Sequence, residues 1–216
     1  MQYALEHGAR EIGLMLSDEN IRSLELFAVE LKKWNSRLNL TAITEDNEIA
    51  IKHFIDSLNL APYVFDEDHM LDLGSGAGIP IIPLKIIKPE TVMLSVDAVN
   101  KKINFQRHVI RILRLNGIEA LQARAEDLHK SYANKFSVIT SRAFTHLDRF
   151  VSLAAPLLAK GGRLIAMKGA DAEDEIAASD ITLKEFGFVV TNIYRYALPC
   201  NMGKHSLVFI KACESA

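Results

Sequence analysis

Leu71-Asp72-Leu73-Gly74-Ser75-Gly76-Ala77-Gly78-Ile79 decides the fold. The apolar run Met70 to Leu73 stops at three alternating glycines. A strand ending so leads into a tight turn, where glycine lets the backbone approach a ligand closely. The dinucleotide fingerprint needs glycine at its first, third and sixth positions. Here the sixth position is Ile79 and the third glycine falls at the fifth. That departure, together with Asp72 at the strand end, counts against a nicotinamide cofactor.

Outward from this loop, short apolar runs alternate with helical periodicity. Val92 to Val96 ends in Asp97, Lys101 to Leu115 has helical spacing, and Ala120 to Ala123 is a short strand. Phe136 to Ile139 reads as a strand and Leu147 to Leu158 as a helix. Gly161-Gly162 turns into a strand over Arg163 to Met167, and Ile176 to Phe186 is helical. Phe188 to Tyr196 and Ser206 to Lys211 lack a long helix between them, as an antiparallel edge pair would. Upstream, Ile21, Leu24, Phe27, Ala28, Leu31, Trp34 and Leu38 recur at helical steps within Leu14 to Leu40, with Ser17 or Asp18 as N-cap. A second helix fits Glu48 to Leu60. The reading is α/β: a doubly wound, mostly parallel sheet with an antiparallel edge strand. Residues 1–68 form a helical extension packed on the core, and residues 69–216 the core domain.

The 216 residues are 49% hydrophobic and 24% charged, which excludes a largely disordered chain. No apolar stretch approaches the 18 residues of a membrane span, and Met1 to Arg10 does not read as a signal peptide. Cys200 and Cys213 have neither metal spacing nor a disulfide framework, so no metal is expected and a reducing cytoplasm is the simplest compartment. The net charge of -2 conceals a basic middle: residues 101–163 hold 12 Lys and Arg against 4 Asp and Glu. Such asymmetry suits an anionic partner, or solvated helix faces that collected Lys and Arg.

The acid-x-Gly-x-Gly-x-Gly pattern from Asp72 through Gly74, Gly76 and Gly78 resembles the loop of Rossmann-like methyltransferases that bind S-adenosylmethionine (SAM). SAM carries no pyrophosphate, so a carboxylate beside its cationic groups is acceptable where it would repel phosphates. Asp97, 19 residues after Gly78, is placed to accept ribose hydroxyls, or to cap the next helix. Ala125-Glu126 follows the third strand, where such enzymes flank adenine; an acidic helix start would look the same. The fourth strand ends in Ser141-Arg142-Ala143-Phe144. It has neither the Asn/Asp-Pro-Pro-aromatic motif of adenine amino methyltransferases nor a nucleophilic cysteine. Phe144 stacks on a base or, the favoured reading, packs in the core.

The chain resembles the bacterial 16S rRNA guanine-N7 methyltransferases of the RsmG family, formerly glucose-inhibited division protein B. The matching stretches are Leu38 to Ala42, Lys52 to Leu58, Leu71 to Pro80, Ser141 to Phe144, Lys168-Gly169 and His205 to Val208. Ala77 and Lys204 depart from it, where proline and arginine are common. The resemblance implies SAM contacts at Gly74, Ile79, Ala125, Glu126 and Arg142, with Asp97 at the ribose. It implies RNA-facing roles among Asn39, Lys52, His53, Lys101, Arg124, Lys168, Lys204 and His205. The implied substrate is a guanosine of the 530 loop, in naked 16S rRNA or a small ribosomal subunit, and a monomer is expected. Guanine N7 has a lone pair and no proton, so in-line transfer needs positioning and electrostatics rather than a general base. Arg142 is the residue expected at the reaction centre, on the SAM carboxylate, a substrate phosphate or guanine O6. The competing readings are a methyltransferase for another RNA or a small molecule, and a non-catalytic RNA-binding protein.

Overall fold

In the computed structural model, which describes residues 1–170 and 172–213, the apolar runs pair into one seven-stranded sheet. The strands are β1 (His69–Leu73), β2 (Val92–Asp97), β3 (Ile118–Gln122), β4 (Phe136–Arg142), β5 (Leu158–Lys168), β6 (Phe188–Ala197) and β7 (Lys204–Ala212). Their order is β3-β2-β1-β4-β5-β7-β6, with β7 antiparallel to both neighbours and the rest parallel. Strand order reverses between β1 and β4, so their carboxyl ends open a crevice at the switch point.

Helices α1 (Gln2–Glu11), α2 (Asp18–Leu38), α3 (Asp46–Glu48), a π-helix (Ile49–Ile55) and α4 (Asp56–Leu58) precede the sheet. The others are α5 (Ile81–Ile87), α6 (Asn100–Ile112), α7 (His129–Tyr132), α8 (Leu147–Ala154) and α9 (Ala172–Glu185). Strand alternation sorts the core into two layers. Met70, Val138, Ile165 and Leu207 point to the side covered by α2, the π-helix, α5 and α6. Leu71, Ile139, Leu164 and Val208 point to the side covered by α8 and α9. Because both faces are covered, the central strands read as continuous apolar runs rather than alternating ones. Phe27 stacks on Phe54 with ring centroids 5.2 Å apart and also meets Phe105, so the N-terminal helices share one core with the sheet.

The differences from the sequence reading have local causes. α2 begins at Asp18 because Ser17 and Asn20 close a capping box, and it ends at Asn39 in the left-handed region. α1 was not expected. Its buried side is small, Gly8 and Ala9 beside Leu5, and a Cβ at Gly8 would meet Ile55 at 2.8 Å. The helix read over Glu48 to Leu60 is mostly a π-helix, whose wider turn no apolar period announces. The Gly161-Gly162 pair lies inside β5, beside the register shift between Phe136 and Val138, instead of preceding the strand. α6 stops at Ile112, where Leu113 and Arg114 leave the helix and Arg114 takes φ +53°.

Candidate functional site

The crevice follows from how the glycine loop is held. Gly74 and Ser75 donate their N–H groups to Val96 O at 2.9 and 3.0 Å, fastening β1's exit to β2. Gly76 N–H donates to Asp97 Oδ2 at 3.0 Å, and Val99 N–H donates to Asp97 Oδ1 at 2.8 Å. Asp97 Oδ2 also lies 3.5 Å from Lys102 Nζ, and both residues stand in the wall of the crevice. The N-cap of α6 is Val99, so Asp97 does not serve as that cap. Beneath the loop, the fully buried Gln106 side chain accepts from Ser95 Oγ at 2.5 Å. It donates to Ser75 Oγ at 2.8 Å and to Gly76 O at 2.9 Å. Gly74 has φ +72°, and a Cβ there would lie 2.1 Å from the Phe144 ring, so only glycine fits.

A cavity of about 530 Å³ opens over the carboxyl ends of β1 to β4. Its walls include Gly74, Asp97, Lys102, Arg124, Ala125, Glu126 and Phe144. The sequence reading placed Gly74, Asp97, Ala125 and Glu126 at the cofactor, and all four stand here. Arg124, read as RNA-facing, stands in the same wall and is exposed. Glu126 accepts from Arg149, leaving part of its carboxylate for a ligand. Gly76 and Gly78 form the turn behind the wall. Ile79, also expected at the cofactor, has its side chain in the hydrophobic core, so only its backbone is left to face a ligand. Phe144 also departs from the favoured core reading. It is 37% exposed at the cavity mouth, carried out of the sheet by Ala143 at φ +50°.

Asp72 and Arg142 lie behind this cavity. Asp72 is fully buried and neither carboxylate oxygen has a hydrogen-bond partner among the described residues. Burial pushes its carboxyl well above the usual range; the nearby Arg142 charge opposes this and Asp97 adds to it. Arg142 Nη1 is likewise buried and unpartnered. Its other nitrogens are engaged: Nη2 lies 3.3 Å from His53 Nδ1 and Nε 3.5 Å from Asp56 Oδ2. Burial, then the Arg142 charge, holds His53 down at about 4, so its imidazole is neutral at pH 7. A neutral ring accepting at Nδ1 carries its proton on Nε2, which donates to Thr41 Oγ1 at 2.9 Å. Asp56, 1% exposed, accepts from Tyr196 OH at 2.7 Å and His205 Nδ1 at 2.9 Å through Oδ1.

An unpartnered carboxylate and an unpartnered guanidinium nitrogen behind a glycine loop match an amino acid's ammonium and carboxylate. The residues present therefore fit the methionine end of SAM. The Asp97 carboxylate in the cavity wall fits the ribose.

The residues expected to face RNA separate into groups. His53 is 6% exposed and tied to Thr41 and Arg142, so it supports Arg142 and does not face outward. Lys168 donates to Thr145 O at 2.9 Å and Glu175 Oε1 at 2.7 Å, bracing the end of β5 rather than offering its charge. Lys52 pairs with Glu48, and Asn39 is the exposed C-cap of α2. Lys101 is exposed at the start of α6. Lys204 and His205 line a second cavity of about 450 Å³ with Gly169, Tyr196 and Ser206. Sequence reasoning takes Lys102 as one of the basic residues on an exposed helix face and not as part of the cavity wall; it missed Gln106, and it did not single out Asp56 or Tyr196. The only prior signal was Asp56, inside the quoted Lys52 to Leu58 stretch.

A profile of the rRNA small subunit methyltransferase G (GidB) family matches residues 20–200. A ribosomal RNA small subunit methyltransferase G from Geobacter sulfurreducens is 47% identical over 209 residues, covering 97% of this chain and 96% of its own. One of that name from Desulfitobacterium hafniense is 36% identical, over 95% of this chain and 87% of its own. Among solved structures, a SAM-dependent methyltransferase from Aquifex aeolicus superposes with TM-score 0.60 at 14% identity, covering 85% of this chain and 97% of that one. TYW2 from P. horikoshii, in complex with MeSAdo, superposes with TM-score 0.58 at 14% identity, covering 76% of this chain and 63% of that one. These structural likenesses establish a Rossmann-like fold.

Proposed function

The chain belongs to the rRNA small subunit methyltransferase G family, and from that premise we propose that it transfers the methyl group of SAM to N7 of one guanosine of 16S rRNA, in the 530 loop. The observation that carries the reading is the pair of buried, unpartnered groups, Asp72 and Arg142 Nη1, behind the glycine loop.

Asp72 would hold the ammonium and Arg142 the carboxylate of the methionine end, and Asp97 the ribose hydroxyls. The backbone around Ala125 and the Glu126 side chain would flank the adenine. When bound, the cofactor supplies an electrophilic methyl group on a sulfonium. The N7 lone pair needs no proton removed, so none of these side chains need act as a base. Their task is to hold the methyl carbon in line with N7. Phe144 at the mouth would exclude water. Arg142 thereby acts at the reaction centre, with His53 and Asp56 fixing its orientation. Asn39, Lys101, Arg124 and Lys204 are the exposed residues that would meet the RNA, with the partly exposed His205 beside Lys204. Residues 1–68 would act as an extension of the methyltransferase core, with the protein working as a cytoplasmic monomer on naked 16S rRNA or the small ribosomal subunit.

The test uses radiolabelled SAM and small subunits from a strain lacking the activity, with the label located by cleavage at N7-methylguanosine. Label at a single guanosine of 16S rRNA is expected. SAM binding with no label on those subunits would overturn the substrate assignment and direct the search to another RNA or a small molecule.

A further inference from the structure

Apart from Lys101, the outward face of α6 takes no part in the proposed site. Its inward side carries Ile103, Phe105, Gln106 and Val109 into the core and under the glycine loop. Its outward side exposes Lys101, Arg107 and Arg111, and Arg114 follows just beyond the helix end. Among the described residues Arg107, Arg111 and Arg114 form no salt bridge with a carboxylate, although Arg111 Nη2 lies 3.3 Å from His108 Nδ1. By contrast Arg149, Arg163 and Arg195 are each paired with a carboxylate. Arg107 Nε donates to Ala120 O at 2.9 Å, which stiffens its stem against β3 and leaves the rest of the guanidinium outward. At this end of α6 a cleft of about 450 Å³ is lined by Arg107, Arg111, Arg114, Asn116 and Glu119. Three guanidinium groups against one carboxylate leave the cleft net positive.

The row starts at the cofactor cavity, whose wall holds Lys102, and runs about 15 Å along the helix from Lys101 to Arg111. That length spans a few phosphates of one strand. Guanidinium forks in a concave surface suit phosphate oxygens, through contacts that carry no base information. We propose that the outward face of α6 and the arginine cleft at its end bind the phosphodiester backbone of the RNA flanking the target nucleotide. This rests on the reading that RNA is the substrate. It adds a surface that supplies affinity at a distance from the reacting base.

The experiment compares the wild type with R111Q/R114N and with the charge-keeping R111K/R114K. Arg107 is left intact because of its bond to β3, and asparagine suits the positive φ at position 114. Binding to protein-free 16S rRNA is measured across a salt series, alongside SAM affinity by calorimetry and steady-state methylation of unmodified small subunits. For R111Q/R114N the expected results are RNA binding about 10-fold weaker or more, and a salt slope shallower by about 1 to 2. SAM affinity should stay within about twofold, and the methylation loss should fall on KM rather than kcat. The lysine variant should recover most of the affinity and the slope.

Unchanged RNA affinity and slope would overturn the proposal. So would a loss confined to assembled subunits, which would instead point to an acidic protein surface, and so would an equal loss of SAM affinity, which would mean a damaged helix. A wild type that binds RNA through this face yet transfers no methyl group to 16S rRNA, naked or in small subunits, would leave the surface standing and defeat the reading of the active site.

Discussion

Toward the π-helix, the polar groups around Arg142 answer one another. His53 lies between Arg142 and Thr41, and Asp56 gathers Arg142, Tyr196 and His205. Toward the glycine loop, the same arginine turns a bare nitrogen, and Asp72 turns two bare oxygens, into the interior. Buried polar atoms are nearly always partnered, and leaving a charged one alone carries a large penalty. The saturated side is scaffold that fixes one rotamer of Arg142. The unsaturated side is where a doubly charged small molecule would complete the bonding. The two regions predict different responses to substitution.

The largest effect is expected where they meet. Arg142→Ala should reduce methyl transfer by about 100-fold to 1,000-fold, corresponding to about 3 to 4 kcal/mol. Its circular dichroism spectrum and cooperative melting should persist. Near-wild-type turnover would break the comparison by removing Arg142 from the site.

On the saturated side, Asp56→Asn removes the shared acceptor and leaves Arg142, Tyr196 and His205 facing an amide. Urea titration should register a loss of about 3 kcal/mol. A change below about 0.5 kcal/mol would mean that the network is not structural.

His53 belongs to the same side and sets its acid limit. Its folded value of about 4 lies below the ordinary 6.5, so folding favours the neutral ring. The contribution is complete above pH 6.5 and is lost as pH falls toward 4, by up to about 3 kcal/mol. His53→Gln should flatten the stability profile over that window, as read by denaturation at stepped pH. An unchanged profile would assign the acid sensitivity elsewhere.

The smallest effect, and the most discriminating, is at Asp72. Its folded value is raised, so it lowers stability progressively as pH rises above the unfolded carboxyl value of about 4. Asp72→Asn should therefore melt higher than the wild type near neutrality, with the gap closing toward pH 4. It should also bind SAM about 10-fold more weakly. Stability and affinity moving in the same direction would show that Asp72 is ordinary core.

Much of this was legible in the sequence where neighbours in the chain are neighbours in space. The loop from Asp72 to Gly78 and the strand ending at Asp97 each announce themselves within ten residues, and the antiparallel late pair lies within the single stretch Phe188 to Ala212. The saturated network was not legible, because its bonds join Asp56 to Tyr196 and His205, 140 and 149 residues away. Gln106 sits on a helix face where periodicity predicts an apolar residue, so its bonds to the loop are invisible without coordinates. Phe144 looked like core because aromatic residues at strand ends usually are; the positive φ of Ala143 swings it outward. The RNA-facing roles implied for His53 and Lys168 came from the family resemblance, which carries residue type but not burial or partners.

The burial of Asp72 has one more consequence. A carboxyl that the protein alone holds toward its neutral form must become an anion to face a cationic ligand. Cofactor binding would then release hydrogen ions to the solvent. The heat of binding would depend on which buffer collects them, and apparent affinity would tighten as the medium becomes more alkaline.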